Sequence, residues 1–468
     1  MIAAITILAT RGATDDAARP RHGRPAHALV RVDATRVGAR VPRSFLGLSI
    51  EWDSVEPYAG TRGHRSTGLR ALLAPLVRAT GGLSLRVGGD TADQAWWNPR
   101  GRRRPATVLQ DVTPATLAAV AWLARSLRGP VTLDVNLALR DPSNARALAR
   151  AAQRRLPPGA LDTLEIGNEP DLYTRARVFR VPGHVHRRLR KRVRYDARAY
   201  RRDVIPYLDV LSRRPRPAPR LAVAGFAGPA WWSSLPGLIA AGHGRVGAMS
   251  GHLYALPSCD APASPSSWLL TTAASRGRAA TMAPLVALGR RHGLPVGLTE
   301  LNSAPCGGRP GLSDSFVAAL WLTDTLFALV RQGLDQADIH TWAHARYAPF
   351  DVSGTRARPR PPLTAMLAFA RAAPPGSRLV VTRGKPGPLR AWATIDRART
   401  VRVALIARRA VRAGVALRHA RCGEVWVATA RRRSTTRVCP RNGRLAIDLP
   451  ARSLAVVSLP APAPAPAA

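Results

Sequence analysis

The chain of 468 residues has few of the residue types that bind metals or carry redox chemistry. It contains four cysteines, none of them in a Cys-x-x-Cys pair, and no histidine cluster with the spacing of a zinc site. It also lacks a Gly-rich phosphate loop, a Gly-x-Ser-x-Gly elbow and a His-Glu-x-x-His helix. These absences argue against zinc, nucleotide and serine-hydrolase chemistry, and we expect no cofactor and no metal.

Long hydrophobic runs are missing too, since no apolar stretch approaches the ~18 residues that a membrane span requires. A short hydrophobic leader covers residues 2–9, with no basic segment before it and no clean small-x-small cleavage site after it. Two interpretations of residues 1–26 stay open: a degraded or mis-started secretion signal, and a plain disordered N-terminus. With an even number of cysteines, the leader favours a secreted, extracellular protein.

Acidic residues are scarce, with 28 Asp and Glu against 71 Lys and Arg, for a net charge of +43. Lys191 and Lys385 are the only lysines, and arginine is spread over every segment with abundant alanine and proline. That distribution is typical of a GC-rich genome, whereas a nucleic-acid binder usually clusters both kinds of base. A functional interpretation remains beside it: the positive field attracts anionic substrates such as uronic-acid polymers.

Between about residues 44 and 373, short β-rich runs alternate with longer runs of helical period. The strand-like runs are Phe45–Glu51, Leu83–Val87, Val131–Leu137, Thr163–Ile166, Leu221–Gly225, Ala248–Tyr254, Pro295–Thr299 and Ala337–Thr341. The helical runs include Leu69–Arg78, Ala115–Leu127, Ala145–Arg154, Ala197–Leu211, Ala280–His292, Asp314–Gln332 with Ser313 as its cap, and Leu363–Ala372. Eight such pairs predict a (β/α)8 TIM barrel over residues 41–373.

After Pro375 the pattern changes to apolar–polar alternation without helical stretches. The alternating runs are Leu379–Thr382, Leu389–Ile395, Val401–Ala407, Val415–Ala420, Val425–Thr429 and Leu445–Leu459. They predict an antiparallel β-sandwich domain over residues 374–459. Residues 27–40 also alternate, and we expect them to return as an extra strand of the sandwich. The Ala/Pro tail, residues 460–468, is too simple in sequence to pack.

Function in a TIM barrel concentrates at the C-terminal ends of the strands, and two glutamates stand there after hydrophobic runs. Glu169 follows the fourth strand and Glu300 follows the seventh. These strands face each other across the barrel mouth. A glycosidase needs such a pair, one carboxylic acid to protonate the leaving oxygen and one carboxylate to attack the anomeric carbon.

Five strand-end motifs, in order, resemble glycoside hydrolase family 79 of clan A, the β-glucuronidase and heparanase family. The first is Leu-Glu-Ile-Gly-Asn-Glu-Pro-Asp at residues 164–171, which contains the Asn-Glu-Pro motif of the clan. The second is the seventh-strand region, with Thr-Glu-Leu-Asn-Ser at 299–303 and Cys-Gly-Gly at 306–308. The others are Phe-Leu-Gly-Leu-Ser-Ile-Glu at 45–51, Leu-Arg-Val-Gly-Gly at 85–89 and Gly-His-Leu-Tyr at 251–254.

The resemblance implies a role for each matching residue. Glu169 would be the general acid/base and Glu300 the nucleophile of a retaining mechanism. The substrate-binding set would be Asn168 on the sugar 2-hydroxyl, Glu51 on the sugar, Arg86 and Tyr254 holding the nucleophile, and His252 beside them.

The family binds the uronate carboxylate with the segment after the nucleophile, which implies the backbone N–H groups of Gly307 and Gly308 here. Cys306 stands where the family commonly has a tyrosine, and the loop is longer by about one residue. We expect Tyr347, after the eighth strand, to supply the missing phenol. Trp96, Trp97, Trp231 and Trp232 follow strands 2 and 5, and we expect at most two of them to touch substrate.

The cysteines form two plausible pairs. Cys259 and Cys306 follow strand ends on the same barrel face, and Cys422 and Cys439 lie within the sandwich. We expect both pairs to form disulfides, with buried free thiols as the alternative.

The sequence thus predicts a secreted retaining β-glucuronidase whose partner is a glucuronide or an anionic oligo- or polysaccharide. Another clan A specificity, of the β-xylosidase or arabinofuranosidase type, stays open because of the altered loop at Cys306. A non-catalytic, arginine-rich glycan- or nucleic-acid-binding protein is the alternative of another class, and it predicts the loss of one catalytic glutamate.

Overall fold

The computed structural model describes residues 26–105, 108–175, 195–213, 218–258, 265–384 and 387–460. The expected leader (1–26) and tail (460–468) therefore lie outside the described residues, apart from Ala26 and Pro460. The strands are β1 (Ala26–Arg40), β2 (Leu46–Glu51), β3 (Leu83–Gly88), β4 (Ala95–Trp97), β5 (Gln110–Val112), β6 (Arg128–Val135), β7 (Leu161–Ile166), β8 (Arg220–Phe226), β9 (Ala248–Tyr254), β10 (Val296–Asn302), β11 (Gln336–Thr341), β12 (Phe350–Ser353), β13 (Arg356–Pro359), β14 (Arg378–Arg383), β15 (Leu389–Ile395), β16 (Thr400–Ala407), β17 (Val411–Ala416), β18 (Gly423–Ala428), β19 (Arg433–Val438), β20 (Arg444–Leu449) and β21 (Ser453–Pro460).

The α-helices are α1 (Val55–Ala59), α2 (Thr67–Thr80), α3 (Pro114–Leu127), α4 (Pro142–Arg155), α5 (Ala197–Ser212), α6 (Leu235–Ala241), α7 (Arg278–Ala280), α8 (Ala283–His292), α9 (Phe316–Gln332) and α10 (Pro361–Ala372). Short 3₁₀ segments follow several barrel strands: Trp52–Ser54, Ala92–Gln94, Pro170–Arg175 and Pro229–Ser234. Among the described helices, none combines the length and the apolar character needed to cross a bilayer.

Eight parallel strands close into a barrel in the order β2, β3, β6, β7, β8, β9, β10, β11. Strands β2 and β3 are buried along their whole length, as expected for parallel strands covered on both faces. The predicted (β/α)8 barrel is confirmed. Strand β10 is longer than predicted and ends at Asn302. Glu300 therefore lies within the strand rather than after it.

Several barrel helices begin at polar caps that the sequence provides. Thr113 forms a capping box with Thr116 at α3, and Asp141 accepts a hydrogen bond from the Asn144 N–H at α4. The prediction for Ser313 was wrong, because α9 begins at Phe316 with Ser315 as its N-cap residue. The Ser313 hydroxyl instead accepts hydrogen bonds from the Arg309 N–H and the Ser303 hydroxyl, which folds the loop after β10.

The C-terminal strands and β1 form one hydrogen-bonded sheet of nine strands, in the order β19-β18-β21-β16-β15-β14-β1-β17-β20. Val457 of β21 and Val415 of β17, from distant parts of the sheet, share one buried cluster, so the sheet curls over its own core. Strand β1 pairs antiparallel with β14 but parallel with β17, so the sheet is not purely antiparallel as expected.

Three details of the sandwich prediction were wrong. The run predicted as one strand at Leu445–Leu459 is two strands, β20 and β21, separated by a turn. The strand expected at Val415–Ala420 lies at β17, and β19 was missed. Strand β19 is exposed along most of its length, so it has no apolar alternation that a sequence pattern could reveal.

Asp324 of α9 joins the barrel to the curled sheet. It is 1 % exposed and accepts hydrogen bonds from Arg390 Nη1 at 2.6 Å, Trp392 Nε1 at 2.7 Å and Ser275 Oγ at 2.6 Å. Burial alone would raise the pKa of Asp324, but Arg276 and Arg390 hold it below its ordinary value. The carboxylate is therefore ionised at neutral pH and neutralises the arginines at the domain junction.

Asp324→Ala is expected to lower the free energy of unfolding by about 3–5 kcal/mol, because it leaves the partner cations of a buried ion pair uncompensated. Since the folded-state pKa is depressed, the contribution is present at neutral pH and is lost only as the pH falls through that pKa. Urea unfolding at pH 7 measures the loss, with the exposed Asp448→Asn as a control that leaves the midpoint unchanged. Equal midpoints for Asp324→Ala and the wild type would contradict this role.

A disulfide joins Cys422 and Cys439, the residues that flank the β18–β19 hairpin, as predicted. Cys306 is not a free thiol, but Cys259 lies outside the described residues, so the Cys259–Cys306 bridge stays a prediction.

Candidate active site

The two candidate catalytic glutamates face each other at the mouth of the barrel. One carboxylate oxygen of each, with a ring nitrogen of His252, lies within 4.8 Å of the others. Glu300 is 3 % exposed, whereas Glu169 is half-buried and open to the mouth. Carboxyl groups about 5–5.5 Å apart are typical of retaining glycosidases, whereas inverting enzymes separate them by about 6.5–9.5 Å.

Glu169 adopts an unusual backbone conformation, with φ at 45°, two residues after Gly167, whose φ is 81°. A non-glycine residue in the left-handed region costs conformational energy, and such residues cluster at functional sites. The Glu169 N–H donates to the Gly225 carbonyl oxygen of β8, which fixes the turn. This geometry directs the side chain across the mouth toward Glu300.

Glu300 is surrounded by donors. Arg86 Nη1 donates to Oε1 at 2.8 Å, the Tyr254 hydroxyl donates to Oε2 at 2.6 Å, and His340 Nδ1 lies 3.1 Å from Oε2. Burial alone would raise the pKa of Glu300, but His252, His340 and Arg86 hold it well below its ordinary value. The arrangement keeps this carboxylate ionised and oriented, as a nucleophile requires.

Arg86 uses all five of its N–H donors. Nε reaches Glu165 at 2.8 Å, Nη1 reaches Glu300 and the Ser49 hydroxyl, and Nη2 reaches Asp134 and the Asn168 Oδ1, both at 2.9 Å. The side chain is completely buried. One guanidinium thus faces three carboxylates and fixes their geometry at once.

The same cluster has more negative charge than Arg86 can neutralise. Burial, together with the charges of Glu165 and Asp93, raises the pKa of Asp134 well above its ordinary value in spite of Arg86. Glu165 also accepts from the Ser250 and Thr299 hydroxyls. The excess negative charge therefore favours the protonated form of Asp134.

His252 lies between the two catalytic candidates. Its Nδ1 is 2.8 Å from Glu169 Oε1 and 3.7 Å from Glu300 Oε2, and its Nε2 is buried without a hydrogen-bond partner among the described residues. Burial alone would lower the pKa of His252, but the charges of Glu300 and Glu169 raise it. His252 therefore contacts the acid/base candidate directly and is placed to orient it.

Asn168 is held from two sides. Asp93 accepts from its backbone N–H and from the Tyr173 hydroxyl, while the Asn168 side chain accepts from Arg86 and donates to Asp90 at 3.3 Å. Burial raises the pKa of Asp93 to about 6. These contacts therefore fix the orientation of the Asn168 amide at the barrel mouth.

Glu51 is the last residue of β2, and hydrogen-bond donors enclose its carboxylate. It is 1 % exposed and accepts hydrogen bonds from the Asp90 N–H, the Thr91 N–H, the Thr91 hydroxyl and His340 Nε2. A carboxylate has about four lone-pair sites, and four donors fill them. Glu51 therefore supports the loop after β3 and His340, and its contact with the sugar stays a prediction.

Two residues that the sequence analysis did not select complete the site. His340, on β11, bridges Glu51 and Glu300. The sequence indicates it only as the second polar residue, after Asp338, on the inward face of a buried strand. Asp90 follows Gly88 and Gly89 at the end of β3 and lies open at the mouth. Desolvation by the surrounding protein, with the charges of Glu51, Glu169 and Glu300, raises the pKa of Asp90 to about 8.

The loop after Glu300 brings the expected carboxylate donors next to one another. The Gly307 carbonyl oxygen accepts from the Arg346 N–H, and a Cβ on Gly308 would lie 3.1 Å from the Tyr347 ring. Gly307 and Gly308 have φ values of 82° and 84°, which glycine adopts without strain. The Gly308 N–H, however, donates to the Pro305 carbonyl oxygen at 3.2 Å, so part of the expected donor set is already engaged.

The tryptophans that follow the second and fifth strands of the barrel pack against other parts of the protein. Trp231 packs edge-on against Phe226 with ring centroids 5.6 Å apart, and Trp96 Nε1 donates to Asp111. Both Trp231 and Trp96 remain half-buried, and Trp97 and Trp232 pack against the barrel core. Their contact with substrate stays a prediction.

Two sets of side chains place potential metal-ligand atoms close together: Glu51, Glu300 and His340, and Glu169, His252 and Glu300. Glu300 belongs to both sets, and its oxygens already accept from Arg86 and Tyr254. Taken as a whole, the arrangement presents one ionised, donor-bound carboxylate opposite one accessible carboxyl group. These two groups are the ones that an acid-assisted nucleophilic displacement requires.

No known family model matches the chain. Over 342 residues the chain is 25 % identical to a β-glucuronidase of Aspergillus niger, and the match covers 66 % of this chain and 60 % of that protein. The chain therefore spans less than two thirds of the length of this relative.

Solved structures of glycoside hydrolases share the fold over nearly the whole chain. A 4-O-α-L-rhamnosyl-β-D-glucuronidase from Fusarium oxysporum has a TM-score of 0.69 at 18 % identity, covering 92 % of this chain and 100 % of its own. A family 51 arabinofuranosidase from Xanthomonas axonopodis has a TM-score of 0.68 at 12 % identity, covering 92 % and 99 %. At these identities the likeness concerns the fold alone.

Proposed function

We propose that the chain is a retaining glycosidase that cleaves β-linked glucuronides through a covalent glycosyl-enzyme intermediate, and that it belongs to family 79. The observation that carries the proposal is the pair of facing glutamates, with oxygens within 4.8 Å and opposite environments. Glu300 is buried and bound by donors, while Glu169 is more accessible. The β-glucuronidase relative supports the substrate class.

In the first step, an oxygen of Glu300 attacks the anomeric carbon, and the bond from that carbon to the leaving oxygen breaks. Glu169 gives its proton to the leaving oxygen, so that the aglycone departs as an alcohol. In the second step, Glu169 takes a proton from water, the resulting hydroxide attacks the anomeric carbon, and the Glu300 carboxylate is released. The site returns to its starting protonation state.

The surrounding residues have assigned parts in this mechanism. Arg86 and Tyr254 stabilise Glu300 as an anion before attack and again as the leaving group in the second step. Asn168 donates toward the sugar 2-hydroxyl, and His252 orients Glu169. We assign Gly307 and Tyr347 to the uronate carboxylate and infer an extracellular location, which the Cys422–Cys439 disulfide favours.

Another specificity remains a candidate because Gly308 already donates its N–H to Pro305 and because arabinofuranosidases share the fold. A β-xylosidase or arabinofuranosidase would bind no carboxylate at this loop. A panel of aryl glucuronide, galacturonide, glucoside, xyloside and arabinofuranoside separates these candidates. Both glutamates are present, which argues against a non-catalytic glycan-binding protein.

We expect kcat/KM for p-nitrophenyl β-glucuronide to exceed that for the β-glucoside by about tenfold or more, since charged hydrogen bonds contribute about 1.5–3 kcal/mol each. Tyr347→Phe removes one phenol donor and should reduce this preference while sparing the glucoside rate. Initial rates at ~150 mM salt, which screens the global charge, decide the matter. Equal rates on the two substrates would refute the substrate assignment and leave the glycosidase mechanism standing.

A further inference from the structure

His340 occupies the top inward-facing position of β11, and Asp338 is the inward-facing residue below it. The imidazole is 5 % exposed and is enclosed by acidic groups. Its Nε2 lies 3.1 Å from Glu51 Oε1, and its Nδ1 lies 3.1 Å from Glu300 Oε2 and 2.6 Å from the Tyr254 oxygen. Both nitrogens of one ring therefore point at carboxylates.

Counting protons decides the state of this ring. The Tyr254 hydroxyl has one proton, and it is donated to Glu300 Oε2 at 2.6 Å. The Tyr254 oxygen can then only accept, so His340 Nδ1 must be the donor in that contact. On the other side, Glu51 accepts three donors from Asp90 and Thr91 in addition to His340. With donors already on both Glu51 oxygens, we assign Nε2 as a further donor.

We propose that His340 is a positioning residue that stays protonated throughout the working pH range and, as an imidazolium bridging Glu51 and Glu300, keeps the nucleophile ionised and aimed. The role of Glu300 as nucleophile rests on the proposed function; the charge state of His340 does not. Glu51 acts through His340: its fixed negative charge holds the imidazolium, which in turn holds Glu300.

Each element that packs against His340 contributes an acidic or phenolic group. Strand β2 contributes Glu51, β10 contributes Glu300, β9 contributes Tyr254, and the segment after β11 contributes Tyr347, whose hydroxyl lies 3.4 Å from Nδ1. Asp53 adds negative charge at longer range, and Asp90, after β3, is a further titratable group near the ring. Although burial alone would lower it, Glu300 and Glu51 raise the pKa of His340 to about 10.

The charge has a measurable consequence for the pH profile. Because kcat/KM requires ionised Glu300, its acidic limb reports the protonation of Glu300 in the free enzyme. Removing a neighbouring cation raises the pKa of a carboxylate, so loss of His340 moves that limb to higher pH.

His340→Gln tests the role, with His292→Gln at the exposed end of α8 as the matched control. We expect kcat/KM to fall by about 10- to 100-fold, in line with the loss of one charged hydrogen bond, and the acidic limb to rise by about one pH unit or more. The control should match the wild type in both. A uniform loss of activity without a shift of the acidic limb would assign His340 a purely structural role and overturn the proposal.

Nitrogen NMR of histidine-labelled protein tests the charge without any activity assay, and Glu51→Gln serves as a second variant if His340→Gln does not fold. In the wild type we expect the His340 ring to show two protonated nitrogens at pH 8, well above the ordinary histidine pKa of about 6.5. Glu51→Gln should lower the pKa of His340 and shift the acidic limb in the same direction as His340→Gln. A neutral His340 at pH 7 would overturn the proposal even in an active enzyme, whereas a protonated His340 in a chain that cleaves none of the panel would leave it standing and reject the proposed function.

Discussion

Glu300→Gln is expected to lower kcat/KM by at least about 10⁴-fold, because an amide cannot attack the anomeric carbon and no other carboxylate takes its place. Asp134 and Glu165 lie deeper in the barrel and are bound to Arg86. Glutamine keeps the shape of the side chain, and its oxygen can still accept from Arg86 Nη1. The fold should therefore survive, which a thermal unfolding scan can verify.

Glu169→Gln should show a different pattern, because the proposed role of Glu169 is proton transfer. The loss should be greatest on substrates with poor leaving groups, which need protonation, and smallest on activated aryl glycosides. Azide should partly restore turnover of activated substrates, since an external anion completes the second step without a base. Glu424→Gln, on the exposed face of β18, is the matched control for both variants and should behave as wild type.

Near wild-type activity in either catalytic variant would reject the assigned mechanism. Azide rescue of Glu300→Gln, with no rescue of Glu169→Gln, would instead mean that the two roles are exchanged.

Arg86→Lys is expected to reduce kcat/KM by about 100-fold or more and to lower the unfolding temperature. The guanidinium satisfies five acceptors at fixed angles, among them Asp134, Glu165 and Glu300. A lysine offers three donors from a single atom and cannot reach all three carboxylates. Glu300 would lose its bond to Nη1, and its pKa would rise toward the ordinary range.

Arg86→Met should be more severe, because it removes the cation that contacts all three carboxylates at once. Removing one partner of a buried ion pair costs about 3–5 kcal/mol of folding stability. Urea unfolding and the pH profile of kcat/KM measure the two effects separately. Arg78→Lys, at an exposed position of α2, is the control. If Arg86→Lys retains full activity and stability, the carboxylates do not depend on this guanidinium.

The barrel could be predicted because its strands are buried on both faces and its helices repeat with a distinct period. Each strand–helix pair has its own hydrophobic pattern in the sequence, and eight such pairs in succession are compatible with few topologies. The curled sheet was harder to predict, since β19 is solvent-exposed and β1 pairs with strands between about 340 and 385 residues away in sequence. Nothing local in residues 26–40 specifies a parallel partner.

The facing of Glu169 and Glu300 was predictable from their places at strand ends, whereas the groups around them were not. His340 and Asp90 are single polar residues next to hydrophobic runs, and such residues are usually structural. Their significance appears only when β2, β3, β10 and β11 bring Glu51 and Glu300 to them. The same reason explains Ser313, whose hydroxyl serves the loop after β10 rather than a helix end.

The measurement that tests the central claim most directly is the configuration of the sugar first released from an aryl β-glycoside substrate, read by proton NMR before mutarotation. One oxygen of each carboxyl group lies within 4.8 Å of the other, which fits the close spacing of a retaining enzyme, so we expect two displacements. We predict that the β-anomer appears first and the α-anomer grows in only by mutarotation. Initial release of the α-anomer would mean that water attacks directly, that Glu300 forms no covalent intermediate, and that the account of this site is wrong.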